Sequence, residues 1–139
     1  MPKRRPCSRP TPASNTLTLR DLHVGWAWVV ICSNALAGLW ALGAMRLPQL
    51  RTRALWWFTI AAEVSIFVQV GLGVAAMNVD DLHPAQFHMF YGFVALITVA
   101  LIYSYRAQLE RFRYLLYGFG GLFLMGLGIR AMIVGAGGR

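Results

Sequence analysis

The sequence predicts an all-α protein, a four-helix transmembrane bundle behind a basic N-terminal tail, and three observations predict it. Of its 139 residues 58% are hydrophobic and only 13% are charged, with a mean hydropathy of +0.54, whereas soluble domains carry nearer a quarter charged residues. The charges fall in short clusters separated by four apolar stretches, at about 24–45, 54–77, 87–105 and 114–134. At 1.5 Å rise per residue, about twenty helical residues cover the roughly 30 Å hydrocarbon core. None of the stretches shows the alternation of a barrel strand, which leaves the helix as the way to satisfy the backbone in lipid.

Residues 1–20 are expected to form a disordered Pro/Arg-rich tail, and 21–139 the membrane domain. The tail holds four of the 6 prolines and five of the 13 basic residues, and it lacks an apolar run that would serve as a signal-peptide core. Its Arg4-Arg5 pair is not followed by a short cleavable segment, since the next apolar stretch is a full crossing. The two cysteines, Cys7 in the tail and Cys32 in the first helix, have neither disulfide nor zinc spacing.

The formal charge of +8 would suggest nucleic acid in a soluble protein. Here the arginines flank crossings: Arg46, Arg51 and Arg53 between the first and second, Arg106, Arg111 and Arg113 between the third and fourth. No nucleic-acid partner is expected. The loop between the second and third crossings has no arginine and holds Asp80, Asp81 and His83, so the arginine loops are assigned to the cytoplasm and this loop, with both termini, to the outside. The basic tail opposes that assignment but lies mostly far from the first crossing. Small residues mark two packing stripes, Ser33, Ala37, Ala41 and Ala44 on the first helix and Gly118, Gly121, Met125 and Gly128 on the fourth. The glycine-rich 118–128 segment is no phosphate loop, because it lacks the GK[ST] ending and lies inside a crossing.

Polar residues collect at the outer end: Asp21, His23, Asn78, Asp80, Asp81, His83, His88 and Arg130. The plainest account is a wet interface with Arg130 paired to Asp80 or Asp81. A sharper one is a b-type haem, for which imidazoles from two helices would supply the axial ligands and Arg130 would meet a propionate. His88 is the better ligand, being about 6 Å further into the bundle than Pro84 by the helical rise. The run Gln69-Val70-Gly71-Leu72-Gly73, a short outer loop and then His88-Met89-Phe90-Tyr91-Gly92 resembles the half-bundle of haem A synthase and, more loosely, cytochrome b561-type proteins, over about a quarter of the chain. The resemblance implies that His88 is an axial ligand. His23 is the available second ligand, since both helices begin on the same face, and Gly71 and Gly92 would leave room for a flat ligand. A metal site built from Asp80, Asp81 and His83, with His88 and His23 nearby, is a further reading suited to zinc, iron or copper(II), though its spacing matches no recognised ligand pattern.

Glu63 is the remaining signal. It lies well inside the second crossing, where an ionised carboxylate costs several kcal/mol, so a neutral group with a polar partner is expected. Counting along the helices puts Asn34 and Thr98 at nearly its depth. A structural interhelical hydrogen bond is favoured over a proton relay.

No catalytic constellation is present in this pattern. The function expected is that of a small accessory or assembly subunit of a membrane complex, such as a respiratory one, with haem b as the cofactor it would carry. The alternatives are a haem-dependent redox protein acting at the outer face and a proton- or metal-coupled transporter. The expected partners are the lipid bilayer and other membrane subunits or further copies of the chain. Arginine and alanine in excess of lysine point to a bacterial cytoplasmic membrane.

Overall fold

The computed structural model describes residues 18–79 and 83–137. Among them are four α-helices and no strand: α1 (Leu19–Arg46), α2 (Arg53–Val79), α3 (Gln86–Tyr105) and α4 (Arg113–Gly137), with short 3-10 turns at Pro48–Leu50 and Glu110–Phe112. All four are long and apolar enough to cross a membrane; the shortest, α3 with 20 residues, reaches about 30 Å. The protein is a multi-pass helical bundle whose large apolar side chains point outward. Trp57, Phe87, Phe93 and Phe119 are more than 60% exposed, while the interior combines Ala37, Ala41, Ala44, Ala62 and Ala76 with a cluster of Val30, Ile66, Val99, Ile102 and Leu124. In lipid no solvent penalty drives large side chains inward, so close backbone approach sets the packing.

The helix ends correct the expected boundaries. α1 begins at Leu19, not near residue 24, because Thr18 caps it: its hydroxyl accepts from the Asp21 N–H, and the Asp21 carboxylate accepts from the Thr18 N–H. This capping box satisfies two otherwise orphaned donors and brings residues 18–20 out of the predicted tail. α4 continues past 134 to Gly137. At the far end of α1, Leu47 is extended before Pro48, as the proline ring requires. Arg51 then turns back and donates from Nε to the Ala44 carbonyl at 2.8 Å and from Nη2 to the Met45 carbonyl at 3.2 Å. The arginine thus caps the helix C-terminus. Around it, the Arg51 and Arg113 guanidinium groups lie 5.2 and 5.1 Å from the Tyr114 ring centre, and Arg113 also stacks on Trp56.

α1 packs along both α2 and α4, and α3 packs on α4 but scarcely touches α2. At the α1–α4 crossing a Cβ on Gly38 would lie 2.8 Å from the Gly118 carbonyl oxygen, and one on Gly121 would lie 2.9 Å from the Asn34 carbonyl oxygen. The helices therefore meet backbone to backbone. Of the expected stripes, Ala37, Ala41, Ala44, Gly118 and Gly121 are buried, and Gly128 faces Ile31. Ser33 and Met125 are only half-buried, and the point of closest approach on α1 is Gly38, which lies off the expected stripe.

Candidate functional site

The fold brings His23 of α1 and His88 of α3 together at one end of the bundle, with ring centres 5.8 Å apart and planes inclined by 69°. Each ring is anchored on a different neighbour. His23 Nδ1 lies 3.1 Å from the Gln69 carbonyl oxygen of α2, and His88 Nδ1 lies 2.9 Å from the Ala131 carbonyl oxygen of α4. A carbonyl only accepts, so both Nδ1 atoms carry hydrogen, and in the neutral ring that leaves the lone pair on Nε2. This is the tautomer a metal-binding histidine needs, with its other nitrogen donating to a backbone carbonyl.

The anchoring has the same local design twice. A carbonyl at position i of a helix is already bonded to the N–H at i+4, and the side chain at i+4 leans back over it. Here the residues at i+4 are Gly73 and Gly135. A Cβ on Gly73 would lie 3.0 Å from His23 Cε1, and one on Gly135 would lie 2.8 Å from His88 Nδ1. Glycine uncovers the carbonyl and gives the imidazole its place. The α1–α2 and α3–α4 hairpins thus each present one histidine, held by the returning helix of the same hairpin.

The residues present suit a group held by two imidazoles, since one ring comes from each hairpin, their centres stand 5.8 Å apart and each has its Nδ1 taken up by a carbonyl. Gln69 supplies a second sign of incompleteness: its Nε2 makes only a long contact, 3.4 Å, with His23 Nε2, and its buried Oε1 has no hydrogen-bond partner. Beside the pair a Cβ on Gly71 would meet nothing within 4 Å, and one on Gly92 would meet only Val70 Cγ2 at 4.0 Å. Phe87 is 69% exposed and does not fill this space, while the Trp26 indole N–H donates to the Ser65 carbonyl at 3.0 Å. Arg130, adjacent in sequence to the carbonyl that holds His88, is exposed.

Asp80 and Asp81 lie outside the described residues, and with them the expected pairing to Arg130 and most of the expected metal set. His83 is exposed. Among the described residues, three or more histidine, cysteine, aspartate or glutamate side chains do not gather into a metal cluster.

The expected partners of Glu63 are corrected. Glu63 is buried, 4% exposed, but its carboxyl faces the Tyr103 hydroxyl of α3, beside which it lines a cleft between α2 and α3. Asn34 has the right depth and the wrong face: its amide donates to the Val30 carbonyl of its own helix at 2.9 Å and to the Ala62 carbonyl of α2 at 3.2 Å. Thr98 donates to Val94 within α3 at 2.8 Å. Depth counting failed there because α3 is shorter than α2, with 20 residues against 27, and the residue level with Glu63 lies more than a turn beyond Thr98. Tyr103 was legible only as an interfacial aromatic. Gly135 and Ala131 carried no sequence signal beyond a glycine one turn after a small residue.

Comparison with protein-family models, with curated proteins and with solved structures gives no match for this chain.

Proposed function

We propose that this chain is a small subunit of a bacterial cytoplasmic membrane complex, respiratory in type, and that it carries a b-type haem held between His23 and His88 at its outer end. The observation that supports this reading best is the matched pair of imidazoles, one from each helical hairpin, both fixed by a backbone carbonyl through Nδ1, the arrangement that directs Nε2 of a neutral ring to a ligand. Arg130, one residue before Ala131 on α4, would meet an acidic edge of the group. Bound there, a haem would supply one-electron chemistry. The protein's part would be to orient the two imidazoles, hold their tautomers and keep the site beside lipid.

The same hydrogen bonds support a second reading, in which the histidines clasp the two hairpins together and the chain acts only as an assembly subunit. An absorption spectrum separates the two. Protein purified from haem-replete cells is expected to show a Soret band that His88→Ala and His23→Ala each remove and His83→Ala leaves in place. A colourless wild type from cells whose other haem proteins are fully loaded leaves the clasp.

A further inference from the structure

Apart from the histidine pair, the poorly packed α2–α3 face encloses a cleft of about 280 Å³ lined by Ile60, Glu63, Val64, Phe67, Val99, Ala100 and Tyr103. Glu63 is six residues from Gln69 on α2, about 9 Å along the helix from the histidine pair. The lining is apolar except at one place. There Glu63, nine-tenths buried and more, lies beside the Tyr103 hydroxyl in the lining, and its Oε2 is buried with no hydrogen-bond partner. A buried polar atom left unsatisfied carries its full desolvation penalty, and lipid offers it nothing. Val64 and Phe67 are about half exposed on the outer side of the cleft, so its mouth opens sideways, toward the acyl chains. Beyond the cleft, at the end nearest the arginine loops, the Arg106 guanidinium lies 5.1 Å from the centre of the Tyr103 ring.

These features constrain an occupant. It must enter from the bilayer, present a flat apolar ring to Phe67 and the branched side chains, and offer a single hydrogen-bonding group at its inner end to Glu63. An acyl chain has no use for the carboxyl, and a volume at the lower end of ligand pockets takes a ring system rather than a large molecule. We infer that the α2–α3 cleft binds the head group of a lipid-soluble quinone, a ring carbonyl accepting from the Glu63 carboxyl while Tyr103 holds that carboxyl in place. The isoprenoid tail would then leave through the mouth between Val64 and Phe67 into lipid. The inference does not depend on haem at the other site.

The test is binding of a naphthoquinone carrying a short alkyl chain to the full-length protein in detergent. Saturable binding is expected for the wild type, about tenfold weaker binding for Glu63→Leu, as for one lost hydrogen bond, and binding within about threefold of wild type for Glu63→Gln, whose amide still donates. Tyr103→Phe should weaken binding by a few-fold, and Ala100→Trp, which fills the cleft without touching Glu63, should abolish it. Circular dichroism and monodispersity identify any variant that has failed to fold, in which case Tyr103→Phe and Ala100→Trp carry the test. An azido derivative of the same naphthoquinone should label residues 60–67 or 99–103. Equal binding by wild type, Ala100→Trp and Tyr103→Phe, or labelling elsewhere on the chain, overturns the proposal. So does a homodimer in which cysteines introduced at Val64 cross-link and no naphthoquinone binds.

Discussion

A helix carbonyl that already serves its own ladder most readily accepts a second hydrogen bond from a ring pressed against the helix where no side chain covers it. At Gln69 and Ala131 that condition is met by glycine one turn later, and the imidazoles of His23 and His88 use it. Gly135→Ala presses a methyl group against the His88 ring, because that Cβ would be 2.8 Å from Nδ1. The substitution is mild in helix propensity, and by that measure alone alanine stabilises by up to about 1 kcal/mol. We expect Gly135→Ala to remove most of a haem absorbance, as His88→Ala does, while Gly126→Ala, where a Cβ meets nothing within 4 Å, leaves it unchanged. Spectra of the two alanine variants at matched protein concentration make the comparison. Equal absorbance in both would separate the histidine anchor from cofactor binding.

Helices in lipid gain little from burying large side chains, so the strength of the α1–α4 pair depends on how closely the backbones approach. Gly38, Gly118 and Gly121 allow that approach, and the Asn34 amide ties α1 to the Ala62 carbonyl of α2 from the adjoining face. Gly121→Leu would drive a branched side chain into the α1 backbone and is expected to destabilise the bundle by about 1–3 kcal/mol. Asn34→Leu should cost about 1 kcal/mol, in the range of single interhelical hydrogen bonds in membranes. Unfolding monitored by circular dichroism in mixed micelles, with Gly126→Leu as the reference, measures both. A Gly121→Leu protein as stable as that reference would contradict a backbone-to-backbone crossing.

Across the whole molecule, charge distribution predicts the orientation and the unequal packing of the helices sets where the protein is open. Arg46, Arg51, Arg53, Arg106, Arg111 and Arg113 all lie at the end of the bundle opposite the histidine pair, several of them stacked on Trp56, Tyr103 and Tyr114. Such an end is expected on the cytoplasmic side, with aromatic rings at the interface. Single cysteines at Asn78 and Thr52, in a background lacking Cys7 and Cys32, should therefore differ toward an impermeant thiol reagent added to intact cells: Asn78 is labelled and Thr52 is protected. Labelling at Thr52 alone would invert the orientation and put the histidine pair on the inner side.

The spacing of charges determined the number, position and crossing of the helices, because lipid excludes unpaired backbone and charge over a fixed thickness and any sequence that spans it must show that period. The one-end clustering of His23 and His88 was legible for the same reason, since antiparallel crossings return the chain to the same side. Neither the α1–α4 contact at Gly38 nor the choice of Tyr103 over Asn34 and Thr98 for Glu63 could be read along the chain. Both depend on helix rotation and axial offset, which a sequence periodic only in depth leaves free. Tertiary packing decided them: once Gly38 and Gly121 bring α1 against α4, α3 follows α4, the α2–α3 face stays open, and Glu63 turns toward that opening.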